Sequence, residues 1–231
     1  SNLQNVWQGF YTSGTLLPTP IAEARYYHRS LNPKKLVASR FSYLPPTQTL
    51  GIYQQLHAVP EELSFELRGR CRRAELPDLK QARKLLETFL GQFSVHVRFT
   101  AEEFRHFFLP RPGVLESFVV EANGRVTDFF SFYALPSTVL DPNCPYRKIN
   151  AAYAYYFAHT TLSAENLFEL AILRAKQLGY DVFNALNIMD YAQAFEKLNF
   201  QPGDGFLKYY LFNWALQSKM VMPEQIGAVL L

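Results

Sequence analysis

Apolar residues recur at helical spacing in two stretches near the middle of the chain. In LPDLKQARKLLETFLG, Leu79, Ala82, Leu85, Leu86 and Phe89 fall three and four apart, the interval that gathers side chains on one face of a helix. Asp78 stands at the N-cap position, Gln81 three residues on completes a capping-box pattern, and Gly91 provides the stop. TAEEFRHFF repeats the device, with Thr100 capping, Glu103 reaching back, and Phe104, Phe107 and Phe108 turned inward. The period then changes. In VLESFVVEANGRVTDFFSFYAL two β-rich runs flank Asn123-Gly124, a dipeptide that accepts the two positive φ angles of a type I′ hairpin turn. NAAYAYYFAHT predicts a third strand. Ser163 opens a helix through Leu178, with Leu167, Leu170, Ala171 and Leu178 as its apolar stripe and Gly179 as its C′ stop. YDVFNAL is almost wholly apolar, as a strand buried on both faces would be. A short helix (YAQAFEKL) and a last strand (FLKYYLFNW) complete the pattern.

Residues 1–66 pattern differently. They hold Pro18, Pro20, Pro33, Pro45, Pro46 and Pro60, and short pieces such as RYYHRSL and LGIYQQLHAV predict extended segments between turns. No self-sufficient core is expected there, so the division is a Pro-rich arm over 1–66 and a regular domain over 67–231. The order helix, helix, hairpin, strand, helix, strand, helix, strand predicts a mixed sheet with helices on its faces, of the α/β (α+β) class.

Composition narrows the picture. The chain has 231 residues, 48% hydrophobic and 19% charged, which excludes general disorder. No apolar run approaches the ~18 residues of a membrane span, and SNLQNVWQGF lacks the basic and apolar regions of a signal peptide. A net charge of +3, from 23 basic and 20 acidic residues, does not argue for a nucleic-acid partner. The one dense basic stretch, RGRCRR, lacks interleaved aromatics for stacking on bases and is read as a solvated loop. Cys71 and Cys144 lie far apart, and the five histidines form no pair at ligand spacing, so no metal site is expected. Free thiols fit a reducing, cytoplasmic setting.

Six blocks carry a more specific signal: YTSGTLLPTP, RYYHRSLNPKKL, TDFFSFYALPST, DVFNAL, GDGFLKYYLFNW and the terminal VLL. In order, and nearly in spacing, they resemble the C-terminal half of the N-myristoyltransferase family (glycylpeptide N-tetradecanoyltransferases). The predicted element order is likewise similar to that of GCN5-related acyltransferases. The resemblance implies transfer of myristoyl from myristoyl-CoA to the amine of an N-terminal glycine. It implies two GCN5-like halves about a pseudo-twofold axis, with no prosthetic group. Myristoyl-CoA would be held mainly by an N-terminal half upstream of Ser1, and the present chain would form the groove for N-terminal glycine peptides.

The resemblance also assigns residues. The carboxylate of Leu231 would accept a proton from the substrate ammonium. An α-amine with a pKa of about 8 is mostly protonated at neutral pH and must lose a proton before it attacks a thioester. An α-carboxylate starts near about 3.5, and desolvation would raise it toward that task. The bland alternative is that VLL is the packed end of a strand. Thr12 would lie near the substrate amine, or else bond local backbone. Tyr26 and His28 would line the groove, where a lone His among aromatics is otherwise structural. Ser137 and Tyr153 would be groove residues or ordinary strand positions. Asn184, in a buried strand, needs partners of either kind. Asp204 would meet basic substrate residues, with Gly203 and Gly205 allowing close backbone approach, although Asp-Gly is also a plain turn signal. Leu207 and Leu230 would be apolar walls. Two other readings stay open: a non-catalytic GCN5-like peptide-binding module, and an interface for a partner chain on the aromatic surface of 1–66.

Overall fold

The computed structural model describes residues 7–15, 17, 19–60, 70–216 and 220–230. Its strands are β1 (Gly9–Ser13), β2 (Ala22–Ser30), β3 (Cys71–Arg73), β4 (Val95–His96), β5 (Leu115–Ala122), β6 (Arg125–Ala134), β7 (Ser137–Thr138), β8 (Lys148–Ile149), β9 (Ala151–Ala158), β10 (Val182–Leu186), β11 (Gln201–Phe212) and β12 (Ile226–Gly227). Its described α-helices are α1 (Pro33–Ala38), α2 (Leu50–Leu56), α3 (Leu79–Leu90), α4 (Ala101–Phe108), α5 (Ala164–Gln177) and α6 (Ala192–Phe195). Eight strands form one sheet in the order β1-β11-β2-β10-β9-β6-β5-β3. Within this sheet, among the described residues, β10 and β9 form the one parallel pair, through the crossover helix α5. The result is the mixed α/β sheet with flanking helices that the pattern predicts.

The local signals act as expected in several places. Asn123 and Gly124 have φ of 52° and 72° and join β5 to β6. Thr100 accepts from the Glu103 N–H while Glu103 reaches back to the Thr100 N–H. Ser163 caps α5, and Gly179, at φ 81°, follows its end. Alternation along β6 gives the sheet two apolar faces. Phe130 and Phe132 pack toward Phe118, Phe157 and Phe183, while Phe129 meets Phe104 and Phe108 of α4.

Four expectations are corrected. LGIYQQL is not extended but forms α2: Thr49 caps it by accepting from the Ile52 N–H, and Tyr53 is buried. Asp78 does not cap α3. Its carboxylate is taken by Arg72 at 2.6 and 2.8 Å and by the Glu75 N–H, and Gln81 instead accepts from the Val126 N–H. The end of RGRCRR is not a solvated loop. Cys71–Arg73 is an edge strand paired with β5, and Arg73 reaches Glu116, which is only 2% exposed. Finally, β11 begins at Gln201 rather than Phe206, taking the glycines of GDG into the strand.

The Pro-rich arm is part of the sheet: β2 lies between β10 and β11, and β1 pairs outside β11. Ser30 is followed by Asn32 and Lys35, both bonded to Asp181, which ties this arm to the start of β10. Among the described residues no helix is long and apolar enough to cross a membrane.

Candidate functional site

Directly opposed residues on neighbouring strands project to the same face of a sheet. Register therefore places His28 of β2, Asn184 of β10, Tyr153 of β9 and Tyr133 of β6 in one row across four strands. This row lies on the face away from Phe183 and α5, since side chains alternate along a strand. Tyr26, two residues before His28, joins it and meets the Tyr153 ring edge-on at 6.0 Å. Tyr133 stacks on Tyr153 at 5.3 Å.

Asn184 is 0% exposed, and its Oδ1 lies 2.6 Å from His28 Nδ1. An amide oxygen only accepts, so Nδ1 is the donor in this contact, and in the neutral ring Nε2 is the acceptor. The Asn184 amide nitrogen makes no well-formed hydrogen bond to another protein group. It is close enough to Tyr153 to oppose the rise in that phenol's pKa caused by burial. Burial, aided by the neighbouring Tyr153, likewise raises Tyr26, and burial raises Tyr133 further. The row is thus a floor of neutral hydroxyl and amide groups, suited to bonding peptide backbone and small polar side chains without attracting a full charge.

The other side of His28 is closed by backbone. Pairing between β11 and β2 slips between Pro202 and Phe206, so Gly203, Asp204 and Gly205 bulge toward Tyr26 and His28. A Cβ on Gly203 would collide with His28 Nε2, and one on Gly205 would lie 3.4 Å from the Tyr26 ring. Arg25 fixes the bulge by donating to the Gly203 carbonyl at 2.7 Å. At Gly203 glycine is required by close approach, not by φ, whereas Gly205 would meet Tyr26 at ordinary contact distance. Asp204 is exposed at the rim of a cavity of about 610 Å3 that His28, Phe41, Gln201 and Gly203 help to line.

A second cavity, of about 480 Å3, brings Thr12 and Leu230 together with Phe10, Tyr155, Tyr156 and Val229. Thr12 is opposed to Tyr209 across β1 and β11, which puts it on the face of the His28 row, and Leu207 lies two residues along on that face. The chain from Ile226 to Val229 is buried, and it leads Leu230 to this cavity.

The structure therefore gathers Tyr26, His28, Tyr153, Asn184, Gly203 and Gly205 into one cluster, with Asp204 on its rim, and joins Thr12 to Leu230 in a second site on the same face. Ser137 is apart from both, exposed in the β7–β8 ribbon. Leu231 lies outside the described residues. Sequence reasoning missed Tyr133, Tyr155, Tyr156 and Phe41. The adjacent tyrosines in AAYAYYFA break a strict alternation, and that break was a visible signal.

Comparison with known proteins supplies the rest. Residues 38–229 match the family described as myristoyl-CoA:protein N-myristoyltransferase, C-terminal domain. The glycylpeptide N-tetradecanoyltransferase of Plasmodium falciparum is 42% identical over 230 residues, covering 100% of this chain and 55% of that protein. That of Drosophila melanogaster is 40% identical, with 48% of its length covered, and glycylpeptide N-tetradecanoyltransferase 1 of Arabidopsis thaliana is 42% identical, with 52% covered. The crystal structure of Saccharomyces cerevisiae N-myristoyltransferase with bound myristoyl-CoA superposes with a TM-score of 0.88 at 32% identity, covering 98% of this chain and 61% of that one. The chain spans about half the length of the curated relatives it matches.

Proposed function

The chain belongs to the N-myristoyltransferase family, and on that premise we propose that it is the peptide-binding half of a glycylpeptide N-tetradecanoyltransferase. The observation that carries this reading is the joining of the family-matched residues on one sheet face, with His28, Asn184 and Tyr153 in one row and Thr12 beside Leu230. The reaction makes an amide bond from the glycine nitrogen to the myristoyl carbonyl and breaks the thioester, with coenzyme A leaving as thiol. Myristoyl-CoA is a co-substrate, held mainly by the upstream half, against which the 1–66 arm would pack.

Each group has a task. The substrate amine enters as an ammonium and gives a proton to the Leu231 carboxylate, freeing the lone pair that attacks the thioester. Thr12 bonds the amine beside Leu230. The tyrosine and amide row supports the following peptide. His28 Nε2 accepts from a substrate hydroxyl such as the Ser or Thr of the acceptor pattern M-G-x-x-x-[ST], with the Gly203–Gly205 backbone alongside. Asp204 faces basic residues further on; Ser137, exposed in its ribbon apart from both sites, has no task in this reading. Free Cys71 and Cys144 accord with a cytoplasmic enzyme.

Alone, this chain is expected to show no myristoyl transfer to a Gly-initiated peptide, and to gain it when co-expressed with the upstream half. Turnover by the isolated chain would overturn the division of labour. Binding without turnover in the completed enzyme would instead favour a non-catalytic peptide-binding module. For His28→Ala in the completed enzyme, KM for peptide is expected to rise about 3–10-fold, the worth of one neutral hydrogen bond. Its kcat should be nearly unchanged, because the contact forms in ground and transition states alike. Steady-state kinetics separate these, and a collapse of kcat at constant KM would make His28 part of the proton transfer.

A further inference from the structure

We propose that Tyr156 is a positioning residue for the carboxylate of Leu231, holding the strap Ala228–Leu230 through a two-way hydrogen bond to Val229. This rests on the reading of that carboxylate as proton acceptor. The Tyr156 hydroxyl accepts from the Val229 N–H at 3.0 Å and donates to the Val229 carbonyl at 3.2 Å. One side chain thus binds both backbone groups of a residue two positions before Leu231.

Tyr156 reaches Val229 only because β9 is bulged. Phe130 pairs with Phe157 and Phe132 with Ala154, so Tyr155 and Tyr156 together oppose Ser131. In a regular strand neighbouring residues point to opposite faces. Here both rings emerge on the face of the site: Tyr155 stacks on Phe108 at 5.2 Å, and Tyr156 meets Phe108 and Phe99 edge-on at 5.7 and 5.4 Å. The backbone groups freed by the bulge are taken by buried side chains. Ser131 Oγ donates to the Tyr156 carbonyl and accepts from its N–H, both at 3.1 Å. The Tyr191 hydroxyl donates to the Tyr155 carbonyl and accepts from the Phe157 N–H, also at 3.1 Å. The bulge is therefore built and satisfied rather than loose.

The strap is held residue by residue. Ile226 and Gly227 pair with β4, Ala228 gives its carbonyl to the Tyr209 hydroxyl at 3.0 Å, and Val229 is bound by Tyr156. Val229 and Leu230 are the strap residues that line the cavity of Thr12. Burial pushes the Tyr156 phenol far above its ordinary range, so it stays both donor and acceptor at any working pH. A proton acceptor must lie within hydrogen-bond reach of its donor, and a displacement of about 1 Å can cost about 100-fold. A two-residue strand alone would hold such a position poorly.

The test is Tyr156→Phe in the full-length enzyme, beside a form with one glycine appended after Leu231, assayed where circular dichroism shows each folded. Tyr156→Phe should lower kcat at least about tenfold with peptide KM within about twofold, whereas a merely structural role would lower only the melting temperature. Should Tyr156→Phe not fold, Tyr209→Phe, which loosens the same strap at Ala228, should lower kcat at constant KM, and an unchanged kcat there overturns the proposal. The proposal also fails if Tyr156→Phe keeps full kcat while the appended form is impaired. If the appended form itself keeps full kcat, the reading of Leu231 is what has failed, and Tyr156 then has nothing catalytic to position.

Discussion

One glycine appended after Leu231 is expected to lower kcat of the full-length enzyme by about 10²–10⁴-fold, the usual worth of a positioned general base, while leaving its melting temperature nearly unchanged. The added residue moves the carboxylate by about 3.3–3.6 Å along an extended chain. The buried strap Ile226–Val229 keeps its hydrogen bonds to β4, Tyr209 and Tyr156, so the fold has no reason to suffer. Deleting Leu231 should have a similar effect, since a carboxylate on Leu230 would stop one residue short. Measured together, kcat and melting temperature distinguish a catalytic terminus from a packed one. If VLL is only the end of a strand, extension is harmless and truncation costs buried area alone.

The second large effect is on stability. Asp128 of β6 is 0% exposed, and its Oδ1 accepts from the N–H groups of Thr160, Thr161 and Leu162 at 2.9, 3.1 and 3.0 Å. Its Oδ2 takes the Thr161 hydroxyl. These bonds organise the turn that leads from β9 into α5. Asp128→Ala strips partners from three backbone donors at once and should cost about 3–5 kcal/mol, or roughly 6–20 °C of melting temperature in a chain of this size. Burial by itself would raise the Asp128 pKa, but the Thr161 and backbone bonds outweigh it and hold the carboxyl below its ordinary value. A depressed folded pKa gives stability that is present above the unfolded pKa of about 3.9 and is lost as pH falls through the folded value. The gap between the parent and Asp128→Asn, followed by chemical denaturation, should therefore be widest near neutral pH and shrink below about pH 4.

What the sequence could reveal divides along the range of the interactions. Where a turn or cap is decided by residues three or four apart, the reading holds: Asn123-Gly124 turns, Thr100 and Glu103 exchange bonds, and Gly179 takes its positive φ. It fails where a distant group competes. Asp78 has the spacing of a cap, but Arg72 and the Glu75 backbone claim its carboxylate first. LGIYQQL gives little sign of its helix, because its seven residues, with Tyr53 alone buried, show little amphipathic contrast. The site was legible as separate family-like blocks but not as a surface, since only register reveals that His28, Asn184 and Tyr153 stand in one row. Tyr156 and Val229 lie 73 residues apart, and no local pattern announces their bond. The GDG glycines suggest close backbone approach to a ligand; what approaches Gly203 in the fold is His28 of the same chain.

The strand order has a consequence in time. β2 leaves the ribosome well before its two neighbours, β10 and β11; the His28–Asn184 bond alone spans 156 residues. Contacts of such separation form slowly because the loop must close before pairing repays it. During synthesis β5, β6 and β9 can assemble with α3 and α4, while Tyr26 and Tyr27 wait without partners. The part of the His28 row that β2 carries is thus flanked on both sides only after β11 has emerged. Until then the nascent chain displays an unpaired aromatic strand, the kind of segment that chaperones shield.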